Sequence, residues 1–257
     1  MKKYDDISVK VEDYVATIEI QRPPNNFFDF ILIGQIADAF EELDESNDCR
    51  SIVLCSQGKH FCAGANFGGE RILQDDIDPI SKLYEEAVRL FRNKKPVIAA
   101  IQGGAIGGGL GVALVADFRV ACPESRFSAN FSRLGFHQGF GTSVTLPRVV
   151  GYQNAALMLL TGRRFKGEEA FAMGLADYLV PLEELRNKSL ALAKEIASAG
   201  PLAVEAIRFT IREGLADQVE KVIAWELTEQ KRLQSTHDFK EGIAASSERR
   251  EPLFKKE

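Results

Sequence analysis

An α/β fold closing in a helical region is the class this sequence predicts, and three observations predict it. Apolar runs of strand length alternate with helical patterns up to about residue 180. Beyond that point only helical patterns remain. No repeat, low-complexity tract or disordered linker divides the chain. Together these point to one α/β core over residues 1–195, carrying a helical C-terminal region over 196–257.

The elements follow in order. Residues 7–20 alternate apolar and polar around Glu12-Asp13, a hairpin signature, and Arg22-Pro23-Pro24-Asn25-Asn26 breaks it. A helix is expected next, with Phe30, Ile33, Ile36, Ala37, Phe40 and Leu43 on one side. Ser51–Ser56 reads as a buried strand. A helix through Leu83, Ala87, Leu90 and Phe91 stops at Lys94-Lys95-Pro96, and Val97–Ile101 is a second buried strand. A glycine-rich run from Gly103 to Gly109 leads into an apolar helix ending at Asp117. Strands are expected at 118–122 and 126–128. Helices follow at roughly 142–161, 167–174, 183–198, 201–215, 218–234 and 238–248, the last with Asp238 as N-cap and Glu241 as its partner.

Composition narrows the function classes. A 45% apolar content over 257 residues supports a real core. The net charge of -5 disfavours a general nucleic-acid binder, while leaving room for a local basic patch facing a polyanion. The N-terminus carries charge with no apolar stretch behind it, and Val97–Ile101 is too short to cross a bilayer, so a cytoplasmic protein is expected. Cys49, Cys55, Cys62 and Cys122 form no CxxC pair and no zinc spacing; reduced, buried thiols are expected, and no metal site.

Two small-residue loops follow buried strands, and these carry the candidate chemistry. One is Phe61-Cys62-Ala63-Gly64-Ala65-Asn66; the other is Gly107-Gly108-Gly109. Small residues let the backbone approach a ligand. The second loop opens a helix, whose first amides lack intrahelical partners. Two such amides aimed at one point stabilise charge on a carbonyl oxygen. Gly107–Gly109 is neither a dinucleotide-binding fingerprint nor a P-loop, and by itself it fits a packing role equally well.

The wider set of landmarks resembles the crotonase (enoyl-CoA hydratase/isomerase) family along nearly the whole chain. They are Arg22-Pro23, the 61–66 loop, Lys95-Pro96-Val97-Ile98-Ala99-Ala100-Ile101-Gln102-Gly103, Ile106-Gly107-Gly108-Gly109 and Asp117. Further on come Leu146-Pro147-Arg148, Gly151, Leu160-Thr161-Gly162-Arg163, Ala170, Gly174-Leu175-Ala176 and Asp238-Phe239-Lys240-Glu241-Gly242. The resemblance implies a spiral of ββα units with C-terminal helices that pack in trimers or hexamers. It implies an acyl-CoA thioester as partner, coenzyme A entering with the substrate and not as a bound cofactor. By the same resemblance the amides of Ala65 and Gly108 form an oxyanion hole. It also implies that Ala63, Gly64, Ala65, Asn66 and Phe67 lie along the adenine and pantetheine end of coenzyme A, with Gly107, Phe131 and Gln138 as further substrate-binding residues.

The chain departs from the family's hydratases at two positions. Where they carry glutamates, the resemblance places Gly111 and Phe131, and neither can act as acid or base. His137 is the candidate proton carrier, in a loop where some relatives place an aspartate near Gln138 and Gly139. His237 and His60 read as a helix-start and a surface-turn residue. Tyr84 and Tyr152 are further hydroxyl donors without a signature. Phe127, Phe131, Phe136 and Phe140 suit a core or an apolar acyl pocket. Three readings follow: an enolate-stabilising acyl-CoA enzyme, a non-catalytic acyl-CoA-binding subunit, and an RNA binder, the last disfavoured by charge.

Overall fold

The computed structural model describes residues 2–65 and 78–257. The expected contacts at Asn66 and Phe67 lie outside the described residues.

The hairpin forms as expected: β1 (Ile7–Glu12) and β2 (Val15–Ile20) pair antiparallel around Asp13 and Tyr14, both at positive φ. Helix α1 (Phe30–Asp44) starts where the Asp29 carboxylate accepts the Leu32 amide at 2.9 Å. Strand β3 (Ser51–Ser56), helix α2 (Pro79–Phe91) and strand β4 (Val97–Ile101) follow. Next come β5 (Gly104–Ile106), α3 (Gly108–Val115), β6 (Phe118–Ala121), β7 (Arg126–Ser128) and a short 3-10 turn (Asn130–Leu134). The second half runs through α4 (Thr142–Thr161), β8 (Phe165–Lys166), α5 (Gly167–Ala172) and β9 (Tyr178–Leu179). It finishes with α6 (Leu185–Ala197), α7 (Pro201–Ile211), α8 (Leu215–Gln234) and α9 (His237–Glu248).

The main sheet has the order β1-β2-β3-β4-β6-β9, parallel from β2 onward. A parallel sheet is covered on both faces, which is why β3 and β4 read as unbroken apolar runs. Ile52, Leu54, Val97, Ala99 and Ile101 face the larger core with α1 and α2. Val53, Cys55, Ile98 and Ala100 face α6 through Leu185, Leu192, Ala193 and Ala197. A second sheet, β5-β7-β8, stands beside the first. Asp117 ties α7 to the core: its carboxylate accepts from Arg208 Nε at 2.8 Å and Arg212 Nη1 at 3.0 Å. All four cysteines are buried and free. Among the described residues no helix is long and apolar enough to cross a membrane.

Four local expectations are corrected. Strands β5, β8 and β9 are only two or three residues long, too short to register as a pattern. Helix α4 is broken at Gly151, whose φ of 74° leaves helical space. The helix expected over 201–215 stops at Ile211, because Gly214 at φ 69° caps α8 instead. Thr236, not Asp238, caps α9: its hydroxyl accepts the Phe239 amide at 3.1 Å, while Asp238 accepts the amides of Lys255 and Lys256.

Candidate active site

The site begins with a register. Cys62 and Ala105 form a parallel bridge, with the Cys62 amide donating to Gly104 O at 2.9 Å and the Ile106 amide to Cys62 O at 3.0 Å. Three residues onward along each segment stand Ala65 and Gly108. Gly64 sits at φ 90°, and a side chain there would press 2.8 Å from Ile106 O. Gly107 turns β5 into α3 at φ 57°, pinned by its amide donating to Ser128 O at 2.8 Å. Among the described residues, nothing accepts a hydrogen bond from the amide nitrogen of Ala65 or of Gly108.

Both residues border a cavity of about 780 Å³. Its apolar wall is aromatic: Phe28, Phe131, Phe136 and Phe140 line it, with Ile80 and Leu83. Phe28 lies 5.6 Å from Phe140 and Phe131 lies 5.7 Å from Phe136, ring centre to ring centre, both pairs inclined. Phe28 covers Gly108 so closely that a Cβ at Gly108 would meet its ring at 2.3 Å. At the other end Lys59, His60, Arg126 and Arg164 form a basic rim around Gly104. The His60 imidazole is held below its ordinary pKa by burial and by the Lys59 and Arg164 charges.

The profile of the Enoyl-CoA hydratase/isomerase family matches residues 10–257. The chain belongs to that family. It is 31% identical over 255 residues to a crotonyl-CoA hydratase of Syntrophomonas wolfei, covering 98% of both chains. It is 27% identical over 269 residues to the human mitochondrial Delta(3,5)-Delta(2,4)-dienoyl-CoA isomerase, covering 96% of this chain and 81% of that one. An enoyl-CoA hydratase/isomerase structure from Pseudoalteromonas atlantica superimposes with a TM-score of 0.89 at 26% identity, covering 98% and 100%. The fold is therefore the crotonase fold, with a mixed sheet and a C-terminal helical region.

In this family member, Ala63, Gly64, Ala65, Gly107, Gly108 and Phe131 all line the cavity. His137 and Gln138 are not in its lining. The His137 Nδ1 is 2.8 Å from the carbonyl of Gln138, and the Gln138 amide donates to Ser143 Oγ at 3.0 Å. His60, expected in a surface turn, is instead part-buried in the cavity wall, its Nδ1 accepting the Gly104 amide at 2.9 Å. Phe127 goes to the core and not the cavity.

The sequence reading missed the clamp behind the aromatic wall. The buried Tyr84 hydroxyl donates to Gln230 Oε1 at 2.7 Å, and Gln230 Nε2 donates to His137 O at 3.0 Å. Burial raises the Tyr84 pKa, and the Glu226 charge adds to it. One turn earlier on α8, fully buried Glu226 accepts from Gly141 N at 2.8 Å, Ser143 N at 3.1 Å and Ser143 Oγ at 2.6 Å. These bonds hold the start of α4, where unpaired helix amides favour a carboxylate. In sequence Glu226 reads as one more charge on a helix, and nothing local marks it. Phe28, beyond the Pro-Pro break, carried no periodicity to place it.

Proposed function

We propose that this family member binds an acyl-CoA thioester with its carbonyl oxygen between the amides of Ala65 and Gly108, and stabilises the enolate that forms there. The register of Cys62 on Ala105 supports the reading, since Ala65 and Gly108 each follow that bridge by three residues and both line the cavity. Such donors act on charge that grows in the transition state, each contributing about 3–4 kcal/mol. The basic rim suits the phosphates of coenzyme A, which enters with the substrate, and the aromatic end suits the acyl group. No resident cofactor or metal has a part in this scheme.

The proton traffic differs from that of a two-glutamate hydratase. Gly111 and Phe131 supply no carboxylate, and no Asp or Glu is found among the described lining residues. His137 acts through its backbone carbonyl, as an anchor for Gln230. Self-association as a trimer, or a hexamer of two trimers, is supported by apolar side chains left exposed on α4, α7 and α8, including Leu160, Leu202, Phe209 and Trp225.

The absent carboxylates also favour a second reading, a binding subunit without turnover. Calorimetric titration with butyryl-CoA, alongside crotonyl-CoA hydration and deuterium exchange into the acyl group, separates the two. Binding with exchange or turnover supports the enolate reading. Binding with neither supports the binding subunit, and no thioester binding contradicts both.

A further inference from the structure

Asn130 stands at the cavity wall immediately before Phe131, and among the described residues its side-chain amide has no hydrogen-bond partner. Its Oδ1 comes within 3.1 Å of where a Gly107 Cβ would lie, and the Phe131 ring lies at 3.9 Å from the same point. Asn130 and Phe131 therefore both overhang the residue that precedes the Gly108 amide. The contrast with the opposite wall is sharp. There the Tyr84 hydroxyl donates to Gln230 Oε1, and Gln230 Nε2 donates to His137 O. Each of these two side chains already has a protein partner. Asn130 presents both a donor and an acceptor that no described residue meets.

This matters once a ligand displaces water. A hydrocarbon group packed against Asn130 would strip the amide of its solvent and leave it unpaired. A group bearing an oxygen would replace that water. A hydroxyl fits either face of the amide, since it donates to Oδ1 or accepts from Nδ2. Its place beside Gly107, the residue before Gly108, limits where that oxygen sits: close to the thioester carbonyl.

We propose that Asn130 is a specificity-determining residue that selects acyl groups carrying a hydroxyl or carbonyl oxygen near the thioester, over plain hydrocarbon acyl groups of the same length. This rests on the acyl-CoA reading above, and the test keeps the two apart. Wild type and Asn130→Leu, a change of similar volume, are titrated calorimetrically with 3-hydroxybutyryl-CoA and with butyryl-CoA. Wild type is expected to favour 3-hydroxybutyryl-CoA by about tenfold, the worth of one net hydrogen bond. Asn130→Leu is expected to erase that preference while keeping butyryl-CoA affinity.

Equal affinity of wild type for the two thioesters overturns the assignment, with the acyl-CoA reading intact. An equal loss for both in Asn130→Leu also overturns it, because Asn130 would then contact the pantetheine arm they share. Failure of wild type to bind either thioester removes the acyl-CoA reading itself. A thermal melt of Asn130→Leu matching wild type shows that any loss is local.

Discussion

Phe140 fills the space that a side chain at Gly111 would need. A Cβ at Gly111 would lie 2.6 Å from Phe140 Cβ and 2.7 Å from its Cδ1. The two positions are therefore one packing decision: a glycine in α3 admits an aromatic ring from the loop before α4. A carboxylate side chain at 111 would meet Phe140. Gly111→Glu is expected to lower stability by roughly 1–3 kcal/mol, the usual cost of overpacking, without conferring crotonyl-CoA hydration. Phe140→Ala is costly by itself, but the double variant should be less destabilised than the sum of the two single variants. Urea denaturation of the single and double variants checks this, and additive effects would show that the two residues do not share the space.

Gly108→Ala places a methyl group against the Phe28 ring, where contact would fall to 2.3 Å. The ring or the first turn of α3 must move, and the Gly108 amide moves with it. Acyl-CoA turnover should drop by about 10²–10³-fold, the scale of one lost oxyanion donor. Kinetics on whichever thioester wild type converts tests this; wild-type rates in the variant would mean that the Gly108 amide is not aimed at the reacting carbonyl.

Tyr84→Phe leaves Gln230 Oε1 buried without its donor. The expected loss is about 1–3 kcal/mol, the cost of one orphaned buried group. Gln230 should then hold His137 O less firmly, loosening the loop up to Gly141. Hydrogen exchange of amides in residues 137–141 should quicken in the variant, and unchanged protection there would separate Tyr84 from that loop.

Glu226 gives the protein a pH dependence of defined sign. Burial raises its carboxyl above the ordinary 4.5, against the bonds from Ser143 and Gly141 that lower it. A group whose folded pKa is raised adds stability that is complete below its unfolded value and lost as pH rises through the folded value. Wild type should therefore lose stability relative to Glu226→Gln as pH climbs from about 4.5 toward neutrality. Urea midpoints for both proteins across that range decide the matter, and parallel profiles would rule out a raised pKa at Glu226.

Much of the architecture was legible in the sequence because it rests on period and on strand-length runs. β3 and β4 announce themselves as apolar runs, and α1 by its spacing from Ile33 to Leu43. The two small-residue loops were legible for the same reason, since Gly64 and Gly107 mark turns that other residues resist. What stayed hidden depends on tertiary neighbours. The Cys62–Ala105 bridge that brings the two loops to one cavity is a long-range contact, and β5 is too short to show itself. Gly111 could be read as a missing carboxylate, but not as room for Phe140, which lies 29 residues onward. Glu226 and Gln230 look like any polar positions of a long helix until α2 and the loop before α4 close over them. His137 drew notice by its chemistry, while its carbonyl's bond to Gln230 depends on a neighbour 93 residues away.

Isotope-edited infrared spectroscopy of a bound thioester tests the central claim most directly. Butyryl-CoA labelled with ¹³C at the thioester carbonyl would be compared free in water and bound to the protein. A carbonyl held by the Ala65 and Gly108 amides should vibrate at lower frequency when bound than in water, and should return toward the free value in Gly108→Ala. A bound carbonyl at or above its frequency in water would contradict the oxyanion-hole account.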